Sequence, residues 1–380
     1  VKNLYKSLKP GDTIGIIGGG QLGKMMAQSA KKMGFIVGIL DPNQICPAAQ
    51  VSDWNIRADY ADKEALREFA RKVTVLTFEF ENIDAEALRE MEDLSAIPQG
   101  SEIISITQDR IKEKQFLESI GVSIAAFEVV KTTDQLNGAL GKIGYPCVLK
   151  TARFGYDGKG QVVLKSEADK AEAEALIADN SCILEAWVPF LKELSVMIVR
   201  NQTGEATIFP VSENIHVNNI LHESIVPARI SPVVSKKAVD TAKQVADALQ
   251  LVGTLGIELF LTKDGGIFIN ELAPRPHNSG HYTIEAMSFS QFDAHIRAVA
   301  GLAMPTARLL SDVVMVNILG QHLEDSLAFR NKKADWSFHY YGKKEMYPNR
   351  KIGHITILTN DVEATLIEID NTGIWNGGSN

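Results

Sequence analysis

The sequence predicts an α/β protein of more than one domain, and three observations carry that reading. Short apolar runs alternate with amphipathic stretches through the first third, the pattern of strands joined by helices. The chain has 380 residues, which at about 100 to 200 residues per domain asks for two to four domains. Hydrophobic types make up 45% and charged types 23%, enough for packed cores and without the signature of disorder.

The formal net charge is −8, from 39 basic and 47 acidic residues. No basic run exceeds three residues, which argues against a nucleic-acid partner, although small anions need only a few local donors. The cysteines Cys46, Cys147 and Cys182 are odd in number and far apart, with no C-x-x-C pair. Neither a thiolate zinc site nor a disulfide framework is expected. The opening VKNLYKSLKPGD lacks a secretory pattern, and no run reaches the length of a membrane span. The expectation is a reduced, cytoplasmic protein, in which the sequon at Asn201 is accidental.

From Thr13 the chain reads as a strand, a glycine turn and an amphipathic helix, followed by the strand IVGILD ending at Asp41. Gly18, Gly20 and Gly23 fit G-x-G-x-x-G, with Asp41 18 residues beyond Gly23. That is a weak dinucleotide fingerprint, because any phosphate can sit at such a helix N-terminus. A helix, ADKEALREFARK, and a strand, VTVLTFEFEN, follow. Strand alternation places Glu79 and Glu81 on one face near its C-terminal end, where open α/β sheets hold ligands or simply meet solvent. Asn82 to Met91 reads as a short helix, Ile97 to Gly100 as a turn, and the first domain should end near residue 105.

Asp109-RIKEKQFLESIGV is a helix with Gly121 as its C-cap. In Pro146 to Leu164 an apolar strand delivers Lys150, a loop carries Gly155, Gly158 and Gly160, and a strand returns. Three glycines interleaved with Asp157 and Lys159 exceed what a plain hairpin needs. They suit a flap whose backbone N–H groups meet phosphates, and no G-K-[ST] makes it a P-loop. After the helix ADKAEAEALIAD, Cys182 to Arg200 gives two strand-like runs around a turn. Glu185, Ala186, Trp187 and Val188 combine a strand edge with apolar surface that can hold an adenine, although composition alone favours Trp187 as core. Glu193 is placed to hold ribose hydroxyls.

Gly256 to His281 should open as an antiparallel hairpin with a turn at Lys263 to Gly266, which sets Glu258 opposite Glu271. Like charges facing across a sheet destabilise it, a cost that makes sense if divalent cations sit between them. Hard oxygen ligands beside phosphates indicate Mg²⁺. Arg275, His277 and Asn278 follow in a Pro-bounded loop that must leave the sheet. Near the end, Lys343, Lys344, Arg350, Lys351 and His354 flank a turn and feed the strand Ile355 to Leu358, the make-up of an anion site. The residues from Asn371 read as a frayed tail. Lysines and loop amides for phosphates, with two acids for Mg²⁺, make a phosphoryl-transfer set.

At these residues the sequence resembles the ATP-grasp superfamily and, within it, the N5-carboxyaminoimidazole ribonucleotide synthetases. The carrying strings are GGGQLGKM at 18–25, TFEFEN at 77–82, FGYDGKGQ at 154–161, NELAPRPHNSGH at 270–281 and YGKKEMYPNRKIGH at 341–354. The resemblance implies an ATP-grasp fold with an α+β lid and an N-terminal Rossmann-like, biotin-carboxylase-like preATP-grasp domain. It divides the chain at 1–105, 106–190 and 191–380, with a small β-rich terminal subdomain from about 305. It implies ATP contacts at Arg110, Lys150, Gly155, Tyr156, Asp157, Gly158, Lys159, Gly160, Gln161, Glu185 to Val188, Glu193, His216, Asn270 and Glu271. Two Mg²⁺ ions would use Glu258 and Glu271. Ala273 replaces an Asn that many relatives use as a third ligand. For the ribonucleotide and bicarbonate it implies Gly20, Gln21, Leu22, Glu79, Tyr156, Arg275, His277, Asn278, Lys343 and Arg350. Arg275, Asp157, Lys159 and Lys343 would serve the chemistry, and Lys344 neighbours Lys343 as an alternative. Tyr347-Pro348-Asn349 replaces Arg-Pro-Gly, removing one positive charge.

The implied activity is ATP-dependent carboxylation of 5-aminoimidazole ribonucleotide with bicarbonate in purine synthesis, without biotin or NAD. A homodimer and a separate mutase acting on the product are implied with it. A formate-dependent glycinamide ribonucleotide formyltransferase and a non-catalytic or NAD-binding Rossmann protein are the alternatives.

Overall fold

Alternating hydrophobicity and well-capped helices explain most of the architecture. The computed structural model describes residues 5–153, 155 and 159–375, so the expected site residues Tyr156, Asp157 and Gly158 lie outside the described residues. The chain starts with Thr13–Ile17 (β1), Gln21–Lys32 (α1), Ile36–Asp41 (β2), Trp54–Arg57 (β3), Lys63–Arg71 (α2) and Val75–Phe78 (β4). These strands form a parallel sheet in the order β3-β2-β1-β4. Asp62 caps α2 by accepting from the Ala65 N–H, as a short acid at an N-cap should. Ala85–Met91 (α3), Ser101–Thr107 (α4) and Arg110–Ser119 (α5) then lead out, with Asp84 and Asp109 as caps. Gly121 beyond α5 takes φ +73°, the left-handed stop that its sequence suggests.

Phe127–Val130 (β5), Thr133–Ile143 (α6), Cys147–Thr151 (β6), Gln161–Leu164 (β7), Lys170–Ile177 (α7) and Cys182–Ala186 (β8) form a small antiparallel sheet, β5-β8-β6-β7. Its core of Val130, Leu136, Leu149, Leu164, Ala173 and Leu184 is its own. This is the α+β lid.

The remaining strands are Phe190–Arg200 (β9), Ala206–Ile208 (β10), Ser212–Val217 (β11), Ile220–Val226 (β12), Gly253–Thr262 (β13), Ile267–Ala273 (β14), Asp312–Leu319 (β15), Trp336–Tyr340 (β16) and Lys351–Thr359 (β17). The helices among them are Pro232–Ala248 (α8), Thr283–Ala286 (α9), Gln291–Val299 (α10), Leu323–Arg330 (α11) and Val362–Thr372 (α12). One sheet holds all nine strands, in the order β14-β13-β9-β11-β12-β15-β17-β16 with β10 on β9. The strands beyond residue 305 therefore extend the catalytic sheet, because β12 pairs with β15. Met25, Met26 and Ala30 of α1 share a core with Phe292, Ile296 and Val299 of α10, which ties the first sheet to the third.

Two expectations are corrected. The residues from Asn371 do not fray at once: Asn371 and Thr372 finish α12. Ile374 is buried and Trp375 Nε1 donates to Asn317 O at 2.9 Å, while residues 376–380 lie outside the described residues. Trp187 is not core but 42% exposed. No helix among the described residues is long and apolar enough to cross a membrane.

Candidate active site

The acidic pair comes together through a register that the turn alone does not give. Beside the turn Leu261 pairs with Ile267, Phe260 with Phe268 and Leu259 with Ile269, one step off the simple hairpin. A bulge then inserts Asn270, and beyond it Glu258 faces Glu271 as expected. Arg110 Nη2 donates to Glu271 Oε2 at 3.1 Å, and Asn270 Nδ2 to Glu258 Oε2 at 3.5 Å. Burial and the facing charge of Glu271 push the Glu258 carboxyl up. Desolvation would raise Glu271 too, but Arg110 and Lys150 hold it below the usual carboxylate range. Two opposed hard oxygen ligands, one of them short of positive charge, fit a divalent cation. Among the described residues no group of three or more His, Cys, Asp or Glu is arranged to hold a metal, so phosphate oxygens must complete such a site, as suits Mg²⁺. Ala273 is buried and offers no ligand, whereas Asn270 stands beside both acids.

The lid brings a lysine and the glycine-rich flap to the same cleft. Lys150 Nζ donates to Glu185 Oε2 at 3.0 Å and lies 3.5 Å from Asn270 Oδ1. Glu185 is buried, and although burial alone would raise it, Lys114 and Lys150 hold its carboxyl at about 2. Its side chain is therefore engaged in an internal ion pair, while the residue still lines the cleft. Gly160 has φ +72°, and a Cβ there would stand 2.6 Å from Thr151 Oγ1, so glycine is required at that point of the flap. Gly155, Lys159, Gln161, Ala186, Trp187 and Val188 all line the same cleft. Across it, His216 and Glu193 form an ion pair. Burial lowers the His216 pKa, but Glu193 outweighs it and the net direction is up.

The glycine turn directs its N–H groups onto carboxylates of its own sheet. The Gly19 N–H donates to Asp41 Oδ2 at 2.7 Å, and the N–H groups of Gly20 and Gly23 donate to Glu79 at 2.5 and 2.7 Å. The donors that would meet a pyrophosphate are spent on two carboxylates, and Asp41 also accepts from the Tyr60 hydroxyl. Glu79 and Glu81 lie just past β4 rather than on it. Burial raises the Glu79 carboxyl above its usual range despite the two N–H bonds. Gln21, Leu22 and Glu79 line the cleft.

Arg275 reaches the cleft with half of its fork engaged: Nε and Nη2 donate to Glu81 at 2.7 and 3.3 Å. Nη1 makes a further long bond to Pro276 O at 3.5 Å, so an anion would meet the outer Nη edge. His277 Nε2 lies 3.3 Å from Glu258 Oε1, and Nδ1 is 2.8 Å from Ser279 Oγ. Asn278 and Asn317 exchange amide hydrogen bonds at 3.0 and 2.7 Å, so Asn278 anchors the loop instead of offering a free amide. Lys343 Nζ donates to Lys351 O at 2.8 Å, and burial, then Arg350, bring its pKa down to about 8. Arg350 lies over the Tyr347 ring at 5.1 Å and pairs with Glu345. Asn349 has φ +67°, standing in for glycine as Asn tolerates. Lys344 is exposed and does not line the cleft.

Sequence reasoning missed Glu113 and Lys114, which lie buried under the site. A signal existed. Arg110, Glu113, Lys114 and Leu117 follow the spacing of a helix's core face, yet three of the four are charged.

A nucleotide-sized cleft between a flap-bearing lid and a sheet with paired acids defines the class: this is an ATP-grasp ligase. Family models match accordingly, a ribonucleotide synthetase preATP-grasp domain at 12–108, an ATP-grasp domain at 115–292 and a phosphoribosylaminoimidazole carboxylase C-terminal domain at 313–368. The chain is 49% identical over 366 residues to N5-carboxyaminoimidazole ribonucleotide synthase of Bacillus subtilis, covering 95% of each. The structure of the Staphylococcus aureus synthetase complexed with ADP superposes with TM-score 0.94 at 43% identity, covering 97% of this chain and 98% of that one. The Aspergillus clavatus synthase in complex with ADP and 5-aminoimidazole ribonucleotide gives TM-score 0.89 at 31% identity, covering 96% and 98%. The chain belongs to the N5-carboxyaminoimidazole ribonucleotide synthase family.

Proposed function

We propose that this chain uses ATP to carboxylate 5-aminoimidazole ribonucleotide with bicarbonate in purine (IMP) synthesis. The observation that carries the reading is one cleft of about 1060 Å³ whose lining includes Trp187, Glu193 and Lys150 together with Glu79, Lys343, Arg350 and Arg275. A nucleotide and a phosphate-bearing acceptor fit it together, with an anion receptor where they meet.

Bicarbonate has no good leaving group, so a carboxylate oxygen of it attacks the γ-phosphorus of ATP, the bond from that phosphorus to the bridging oxygen breaks, and carboxyphosphate and ADP form. The exocyclic amine then attacks the carboxyl carbon, the carbon–oxygen bond to phosphate breaks, and the N5-carbamate and phosphate form. Lys150 and the flap hold phosphate oxygens, and the adenosine end rests on Trp187, Val188, Glu193 and His216. The outer edge of Arg275 and the His277 ring meet the bicarbonate, while Lys343 and Arg350 take the 5′-phosphate. Glu79, with its raised pKa, suits acceptance of the amine proton. Glu258 and Glu271 would hold Mg²⁺, which when bound neutralises charge building on the phosphoryl oxygens. The lid excludes water from the labile intermediate. The family pattern supports a homodimer whose product passes to a separate mutase, and three buried free cysteines suit a reducing, cytoplasmic setting.

ADP release measured with combinations of substrates tests the reading. It should require both bicarbonate and 5-aminoimidazole ribonucleotide for full rate. Equal ADP release with formate and glycinamide ribonucleotide would make the chain a formyltransferase instead.

A further inference from the structure

We infer that Lys114, with Glu113 beside it, is a positioning residue: the two side chains clamp the free edge of β14 and hold the bulge that turns Asn270 and Glu271 into the cleft. The inference rests on the reading of Glu258 and Glu271 as metal ligands and adds what keeps the pair opposed.

β14 is an edge strand, so on one side its backbone groups lack a strand partner. The α5 side chains take three of them. Lys114 Nζ donates to Ile269 O at 3.3 Å and to Asn270 O at 3.0 Å, and the Leu272 N–H donates to Glu113 Oε2 at 3.2 Å. The Ile269 N–H donates to Ser123 O at 2.9 Å on the same side. In a regular strand successive carbonyls point to opposite sides, so a single ammonium cannot serve two in a row. At the bulge it can, and it thereby favours the bulged over the regular strand. Without the bulge, Asn270 would oppose Glu258, and Glu271 would pass to the other face of the sheet with Leu272 displaced in turn.

Lys114 is fully buried, and burying an ammonium is costly compared with an apolar chain of similar length. Its countercharge, Glu185, lies 3.7 Å away and also holds Lys150 at 3.0 Å. The clamp thus ties the acids of the large sheet to the phosphate-facing lysine of the lid. An ammonium that served only to fill space would need neither the two carbonyls nor the shared acid.

Calorimetric titration with ADP, once in EDTA and once in Mg²⁺, tests this on the full chain and on Lys114→Met. The native chain should gain affinity from Mg²⁺. Lys114→Met should fold, judged by circular dichroism, and keep its affinity in EDTA, yet lose about ten-fold or more of the Mg²⁺-dependent gain. Its kcat should fall with that gain while KM for the ribonucleotide stays unchanged. A gain that survives intact, with only the melting temperature lowered, overturns the inference and leaves Lys114 a structural lysine. If Lys114→Met does not fold, Glu113→Leu carries the same test: it deletes the acceptor of the Leu272 N–H, a smaller loss of the gain is expected, and an undiminished gain overturns the clamp. A native chain that gains nothing from Mg²⁺ overturns the metal reading and this inference together, which separates the two failures.

Discussion

Burial sets the charge of Lys343, and that charge should be visible in the pH profile. Desolvation and the neighbouring Arg350 bring its pKa to about 8, so in the free chain the ammonium is present at pH 7 and lost as pH rises through about 8. Because kcat/KM reports groups of the free enzyme, its value for 5-aminoimidazole ribonucleotide should decline above about pH 8, and Lys343→Met should lower it and remove that limb. A native profile flat well beyond that pH would contradict the role. At the acids, Glu271→Gln should keep the melting temperature within a few degrees and cut turnover about 100-fold, since the amide keeps the volume but not the charge facing the cation. Glu258→Gln should be milder, because it leaves in place the Glu271 carboxylate that Arg110 holds toward the cation. Arg275→Lys replaces a fork by a point charge, losing its grip on both Glu81 and the anion. A bicarbonate requirement raised about ten-fold or more, with ADP release outrunning carbamate, is expected in steady-state assays. Residue types that announce their chemistry were legible in the sequence: Lys150, Glu258, Glu271 and Arg275 all face one cleft. Partners were not, because the Glu81 that holds Arg275 is 194 positions away.

The hairpin shows what a segment of sequence can and cannot tell. Its turn residues announce two strands, but the register that sets two acids opposite each other needs the bulge at Asn270, and that depends on α5, which no local pattern connects to it. Glu185 is the converse case. Its strand was readable and its role was not, since the lysines that pair with it come from α5 and β6. The flap glycine is better determined. Gly160→Ala puts a Cβ 2.6 Å from Thr151 Oγ1 at φ +72°, and a left-handed residue alone costs about 1–2 kcal/mol. The substitution should raise KM for ATP several-fold while leaving ribonucleotide binding to the glycine-turn end unchanged, as isotherms for each ligand would reveal. Helix caps at Asp62, Asp84 and Asp109 mark their elements well because capping is a contact among neighbours in sequence.

At the scale of the molecule, the site is a meeting of three sheets that are far apart in sequence. Glu79 follows the first, Lys150 comes from the second, and Glu271 and Lys351 belong to the third. Periodicity announced the first sheet and the α/β class, because parallel strands and their helices repeat locally. It did not announce that β15 to β17 continue the nine-stranded sheet, since that follows from the pairing of β12 with β15 across 90 or so intervening positions. Nor did it separate a phosphate-binding glycine turn from one whose N–H groups serve Glu79 and Asp41, because the carboxylates arrive from other strands. The convergence of these sheets has a chemical purpose only if bicarbonate is phosphorylated and its carboxyl then handed to the amine. That order of events leaves a trace in the oxygen atoms: the oxygen that attacks the γ-phosphorus stays with phosphorus when the carbon–oxygen bond breaks. With bicarbonate labelled by heavy oxygen and the products of a short incubation examined by mass spectrometry, the account predicts one labelled oxygen in the phosphate released with each carbamate formed. Phosphate carrying only oxygen from ATP and water, alongside normal carbamate formation, would contradict it.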